Sequence, residues 1–117
     1  MKSTAEHSIG AIEAIRVGVL SHSLEVPPDS FNGLFEKLAS ARAALQALDP
    51  KEINGFVGRE MRFEFKESRM DFTAEDFLTS YAQPNFYFHA TSAYDILRNR
   101  GVKIGKMDFL GRIAIKQ

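Results

Sequence analysis

The sequence predicts one mainly α-helical domain carrying a small β-hairpin. Three observations predict it. Apolar residues recur at three–four spacing over three long stretches, the period of a helix with one apolar face. They alternate every second position only between Met61 and Phe72, the period of a half-buried strand. The chain has 117 residues, enough for a single domain over 1–117 and not for two.

The first helix is expected from about Thr4 to Ser21. Ile9, Ile12, Ile15, Val19 and Leu20 cluster on one side of a helical wheel. Ser3 or Thr4 can cap its start, Gly10 and Gly18 weaken it, and Pro27-Pro28 forces an extended link beyond it. The second helix opens at Asp29 or Ser30. Its apolar stripe is Phe31, Leu34, Phe35, Leu38, Leu45 and Leu48, with Arg42 as the one polar member and Ala41 and Ala44 allowing close approach. Asp49-Pro50 ends it and opens a single further turn through Ile53. Met61, Phe63 and Phe65 then alternate with Arg62, Glu64 and Lys66. A turn at 66–69 returns the chain through Met70 and Phe72, giving the hairpin. Thr73 caps the third helix, with Asp76 three places on. That helix runs to about Arg100 and stops at Gly101. Pro84 removes one backbone donor and should kink it near Ser80; the alternative is two helices broken at Gln83-Pro84. The tail from Val102 is read as an extension across the bundle with a strand-like end.

Composition excludes several classes of function. Fifteen basic and fifteen acidic residues leave no net charge, so binding to nucleic acid through bulk charge is not expected. The absence of cysteine removes disulfides, thiolate zinc sites, iron–sulfur clusters and a cysteine nucleophile. No stretch reads as a signal peptide or a membrane span, and a cytoplasmic location with no membrane partner is the expectation. No phosphate-cradling glycine loop and no nucleophile elbow is present. Six basic residues between Arg98 and Lys116 face only Asp108, a local excess of five that suits a helix C-terminus or an anionic partner.

The third helix carries the pattern richest in chemistry. Phe77, Leu78, Tyr81, Asn85, Phe88, His89, Ser92 and Ile96 fall within about 120° of one another at roughly 100° per residue. Tyr81, Asn85, His89 and Ser92 are polar members of this otherwise apolar, core-facing stripe. Buried polar groups need partners, so the stripe marks either a satisfied polar core cluster or a ligand site. Asn85 and His89 are four apart and point the same way. His7 lies roughly 140° from the centre of the first helix's apolar stripe, in a first turn where helix ends fray. His22 reads as an exposed imidazole near that helix's end.

The segment Gln83-Pro84-Asn85-Phe86-Tyr87-Phe88-His89-Ala90-Thr91, with Ala93-Tyr94, Ile96-Leu97-Arg98, Gly101-Val102, Gly105-Lys106 and Asp108-Phe109-Leu110-Gly111, resembles the bacterial domain of unknown function 1993 family. That family is similar to a branch of the DinB/YfiT-like four-helix bundle superfamily. The resemblance implies an incomplete DinB-like up-and-down bundle with a hairpin before the last long helix. Many superfamily members hold a divalent metal on three histidines, and some are thiol-dependent transferases or isomerases. Carried over residue by residue, the triad would read His7, Asn85 and His89, with zinc, nickel or iron as the implied metal. Asn85 departs from the three-imidazole set, because an amide oxygen is a weak ligand for zinc. Family members also have a long helix before the first helix here. The apolar face this leaves uncovered implies a homodimer that completes the bundle, the alternative being a shortened gene product.

Two functions follow as expectations. One is a non-catalytic binding or structural protein with Tyr81, Asn85, His89 and Ser92 as a polar core cluster, admitting a small-molecule ligand. The other is a metal-dependent enzyme of the thiol-transferase type, with a Lewis-acid metal on a His/Asn/His site. A pocket and an open coordination position beside His89 would favour the enzyme. A tightly packed His89 bonded to a neighbouring helix would favour the first.

Overall fold

The N-terminal helix breaks at His7. The computed structural model, which describes residues 1–21 and 25–116, has α1 over Lys2–Glu6 and α2 over Ile9–Val17 where one helix was expected. Ser8 explains the break. Its hydroxyl donates to the Ala5 carbonyl at 2.7 Å, competing with the helical ladder. Gly18 ends α2 with φ 90°, a left-handed conformation that suits glycine. The next residues then form β1, Val19–Ser21, instead of a last helical turn.

β1 pairs parallel to β2, Glu60–Phe65, with Val19 opposite Arg62. β2 pairs antiparallel with β3, Ser68–Thr73, with Met61 opposite Phe72 and Phe63 opposite Met70. The expected hairpin is therefore the larger part of a three-stranded sheet ordered β1-β2-β3. Val19 and Leu20 fit a helical stripe and a strand equally well, which is why periodicity assigned them to the helix.

Local caps fix the remaining ends. α3, Phe31–Gln46, starts where the Ser30 hydroxyl accepts from the Gly33 amide at 3.0 Å. α4, Pro50–Asn54, starts where the Asp49 carboxylate accepts from the Lys51 amide at 2.9 Å. Thr73 caps α5, Ala74–Asp76, accepting from the Asp76 amide at 3.3 Å. A π-helical segment, Phe77–Ala82, then leads into α6, Gln83–Asn99, which carries Pro84 in its first turn. The kink expected from Pro84 takes this form: the wider turn passes a position with no N–H to donate. Side chains bond carbonyls along the same stretch. Thr79 donates to Glu75 at 2.8 Å, and the Asn85 amide donates to Tyr81 at 2.8 Å. Beyond α6, the tail forms α7, Lys106–Leu110, and residues 111–116 form no strand. Gly105 N–H donates to the Asp108 carboxylate at 2.7 Å and sets α7, where a strand-like end was expected.

The core sits where α2, α4, the sheet and the π segment meet. Ile12, Ile15, Phe56, Met61, Ala74 and Phe77 are buried there. The apolar stripes of α3 and α6 behave differently. Phe31 and Phe35 are 80% and 72% exposed, and Ala41 is the one buried residue of α3. No residue of α6 is buried, so its stripe is not core-facing within this chain. α1 packs against both helices, with His7 stacked on His89, and leaves Phe31 and Phe35 on α3 and Phe88 and Ile96 on α6 exposed.

Candidate functional site

A chain of aromatic rings links the sheet to the histidines. Phe63 on β2, Phe72 on β3 and Phe77 on the π segment pack around the Tyr81 ring, at centroid distances of 5.3, 5.9 and 5.5 Å. Tyr81 meets His7 edge-on at 5.9 Å. His7 in turn lies parallel to His89, centroids 5.5 Å apart with 7° between planes. The break after α1 makes this meeting feasible. On an unbroken helix His7 would turn away from the apolar stripe.

His7, Phe63, Tyr81 and His89 form one wall of an open cavity of about 760 Å³, with Phe72 and Phe77 packed behind Tyr81. α1, α2, β1, α3 and β2 supply the rest. Ile9, Leu20 and Phe63 are its apolar part, and Glu6, Glu13, Lys37 and Ser40 its polar part. Small residues leave the space: Gly10 on α2 and Ala41 and Ala44 on α3 all line it. The size lies within the roughly 300–1,000 Å³ of small-molecule sites.

The electrostatics favour the neutral form of His7. Partial burial pushes the His7 pKa below its ordinary 6.5, and the neighbouring charge of His89 adds to this, while Glu6 opposes it. Burial raises the Tyr81 hydroxyl above its ordinary value. Glu6 pairs with Lys2 at 3.5 Å, and Lys37 with Glu25 at 3.7 Å. A neutral imidazole presents one donor and one acceptor nitrogen, so His7 can bond polar ligand groups of either kind.

The structure brings together some of the predicted residues. His7, Tyr81 and His89 meet at the cavity. Asn85 does not join that wall, and its amide is turned onto the Tyr81 carbonyl. Ser92 is half-buried one turn beyond His89 and also lies outside the cavity wall. The polar stripe of α6 is thus half-buried where a buried core cluster was expected, because α1 covers it only in part and the cavity opens beside it. His22 lies outside the described residues. Sequence reasoning missed Glu6, Glu13, Lys37, Ser40 and Phe63. The signal that could have found the cavity was the small set Gly10, Ala41 and Ala44 on facing helices.

The implied metal can be tested against this donor set. Among the described residues, no group of three or more His, Cys, Asp or Glu side chains is placed to hold a metal ion. Two imidazoles fall one short of the three protein ligands of a catalytic zinc site, and Asn85 does not supply the third. The described residues therefore do not fit the group on their own.

The architecture is that of a mainly α protein with a small sheet and a DinB-like fold. A DinB family member protein from Shewanella denitrificans has a similar solved structure, with a TM-score of 0.72 and 22% identity. The similarity covers 99% of this chain and 65% of that one, so the chain spans about two-thirds of its structural neighbour. The family model described as a domain of unknown function, DUF1993, matches residues 2–110, and the chain belongs to that family. None of the curated proteins matches it. Among the described residues, no helix is long and apolar enough to cross a membrane.

Proposed function

We propose that this chain is a small-molecule-binding module whose site is the cavity walled by His7, Tyr81 and His89. One observation carries the reading. Two imidazoles and a phenol, held by the aromatic cluster of the sheet, stand on the wall of a cavity of ligand size. The cavity weighs against a purely structural His89. The incomplete ligand set weighs against a metal-dependent enzyme. The site combines an apolar floor with a few convergent polar groups, the usual make-up of a site that orients a small organic ligand. Ile9, Leu20 and Phe63 take the apolar body of the ligand, and His7 and His89 bond its polar end.

The test is native mass spectrometry with elemental analysis on protein purified without denaturation, beside Ala44→Phe and His89→Ala. Ala44 is exposed at the cavity rim, so a phenyl there narrows the space without disturbing the core. A small molecule retained by the wild type and lost from both variants is the expected result. Stoichiometric zinc, nickel or iron that disappears in His89→Ala would replace this reading with the metal-dependent one. Retention of the same ligand by Ala44→Phe and His89→Ala alike would exclude the cavity as its site.

A further inference from the structure

We infer that Asn85 is a positioning residue of this site: its side-chain amide braces the π-helical segment, Phe77–Ala82, and thereby holds the Tyr81 ring against His7. The inference rests on the cavity reading for its functional meaning and not for its geometry. Three observations carry it.

The first is the hydrogen-bond ladder. Gln83 N–H reaches back five residues to the Leu78 carbonyl, the π step. α6 then resumes the four-residue step. The change of step skips one carbonyl, and Pro84 has no N–H to offer another. The carbonyls from Thr79 to Tyr81 are therefore short of backbone donors. Asn85 supplies one, donating from its amide to the Tyr81 carbonyl at 2.8 Å. Hydroxyls brace the start of the segment in the same way, Thr79 on the Glu75 carbonyl at 2.8 Å and Ser80 on that of Asp76. Asn85 is their counterpart at its far end.

The second is what the segment carries. Phe77 and Ala82 are buried, so both ends are fixed in the core. Tyr81 lies between them, half-buried, with one side of its ring on the cavity. It is the member of the segment with room to turn. It meets Phe63 at 5.3 Å and His7 edge-on at 5.9 Å. A π turn holds one residue more than an α turn, which rotates what precedes it by roughly 100° relative to α6. Where Tyr81 points relative to His89 is thus a property of the π step, and Asn85 sits where that step ends.

The third is residue type. The bond to Tyr81 needs an N–H or O–H donor. An ionised aspartate of the same shape has none, and neither has leucine. A serine hydroxyl can bond the carbonyl four residues back, as Thr79 and Ser80 already do in this chain. The three replacements therefore separate the donor from the shape of the side chain.

The test is two-dimensional NMR on the full chain, comparing the wild type with Asn85→Asp, Asn85→Leu and Asn85→Ser, with circular dichroism confirming helix content in each. Cross-peaks between the Tyr81 and His7 rings should be lost in the two donorless variants and kept in Asn85→Ser. Those between Phe72 and Phe77, which meet behind Tyr81, should persist in all. Amide exchange at Gln83 should quicken about fivefold in the donorless variants, the worth of one ordinary hydrogen bond. Should Asn85→Asp lose its helix content, Asn85→Leu decides alone. Tyr81–His7 cross-peaks that survive in the donorless variants would overturn the inference, as would their loss in Asn85→Ser. These readouts need no ligand. A chain that retains no small molecule would sink the cavity reading without touching them, and a contact indifferent to Asn85 would sink this inference and leave the cavity reading standing.

Discussion

Phe77 and Phe35 are the same residue in two different regions. Phe77 is 0% exposed, at the junction of the sheet, α2 and the π segment, whereas Phe35 is 72% exposed on α3. Both sit on apolar stripes with helical spacing. One region is closed by its own chain and the other is not. The closed end orients Tyr81, which meets His7, and so fixes the cavity wall. α3 and α6 complete the cavity through Lys37, Ser40, Ala41, Ala44 and His89. Stability therefore depends on the closed end, and the candidate site spans the junction of the two regions.

The largest predicted effect tests that division. Phe77→Ala should lose about 3–5 kcal/mol in denaturant unfolding, the range for a buried phenylalanine. Phe35→Ala should change the unfolding free energy of the dilute chain by no more than about 0.5 kcal/mol, as for an exposed site. Equal losses at the two positions would erase the distinction between the regions.

Smaller effects sharpen it. Ser30→Ala removes the acceptor for the Gly33 amide, and should cost about 1 kcal/mol of stability by the same denaturant measurement. Gly10→Ala should stabilise by about 0.4–1 kcal/mol, because it restricts the unfolded chain. Space permits the change: a Cβ at Gly10 meets its nearest neighbours, Ala5 O and Glu6 Cβ, at 3.9 Å. A lowered melting temperature for Gly10→Ala would mean that the α1–α2 break is tighter than it looks.

pH supplies the mildest test. The folded chain holds the His7 pKa below its ordinary 6.5, chiefly by burial and then by the charge of His89. The unfolded chain therefore takes up this proton more readily. The His7 contribution is constant above the unfolded value. It turns against folding as pH falls below 6.5 and through the lowered folded value. Melting temperature should decline over that window, and His89→Ala should lessen the decline by removing the second cause.

Much of this was legible in the sequence. The helical stripes of α3 and α6, the hairpin and the caps at Ser30, Asp49 and Thr73 follow from spacing and residue type alone. His89 could be singled out from its place on the third helix. The break at His7–Ser8 could not, because it arises from a serine hydroxyl bonding back to Ala5, and Ser8 looks ordinary in a helix. β1 was hidden for a similar reason, since Val19 and Leu20 suit either period and only pairing with β2 decides between them. The α6 stripe was read as core-facing, and no residue of it between Gln83 and Asn99 is buried. Periodicity reports which face is apolar and does not report what covers it. Asn85 was paired with His89 by spacing, yet the π segment offered its amide a nearer partner in Tyr81.

The most direct test of the site is an NMR titration of the histidine ring protons in the wild type and in His89→Ala. The account predicts that His7 titrates below 6.5 in the wild type and moves upward when the His89 imidazole is removed. An ordinary His7 titration that is unchanged in the variant would contradict the stacked pair, and with it the cavity wall on which the proposed binding site rests.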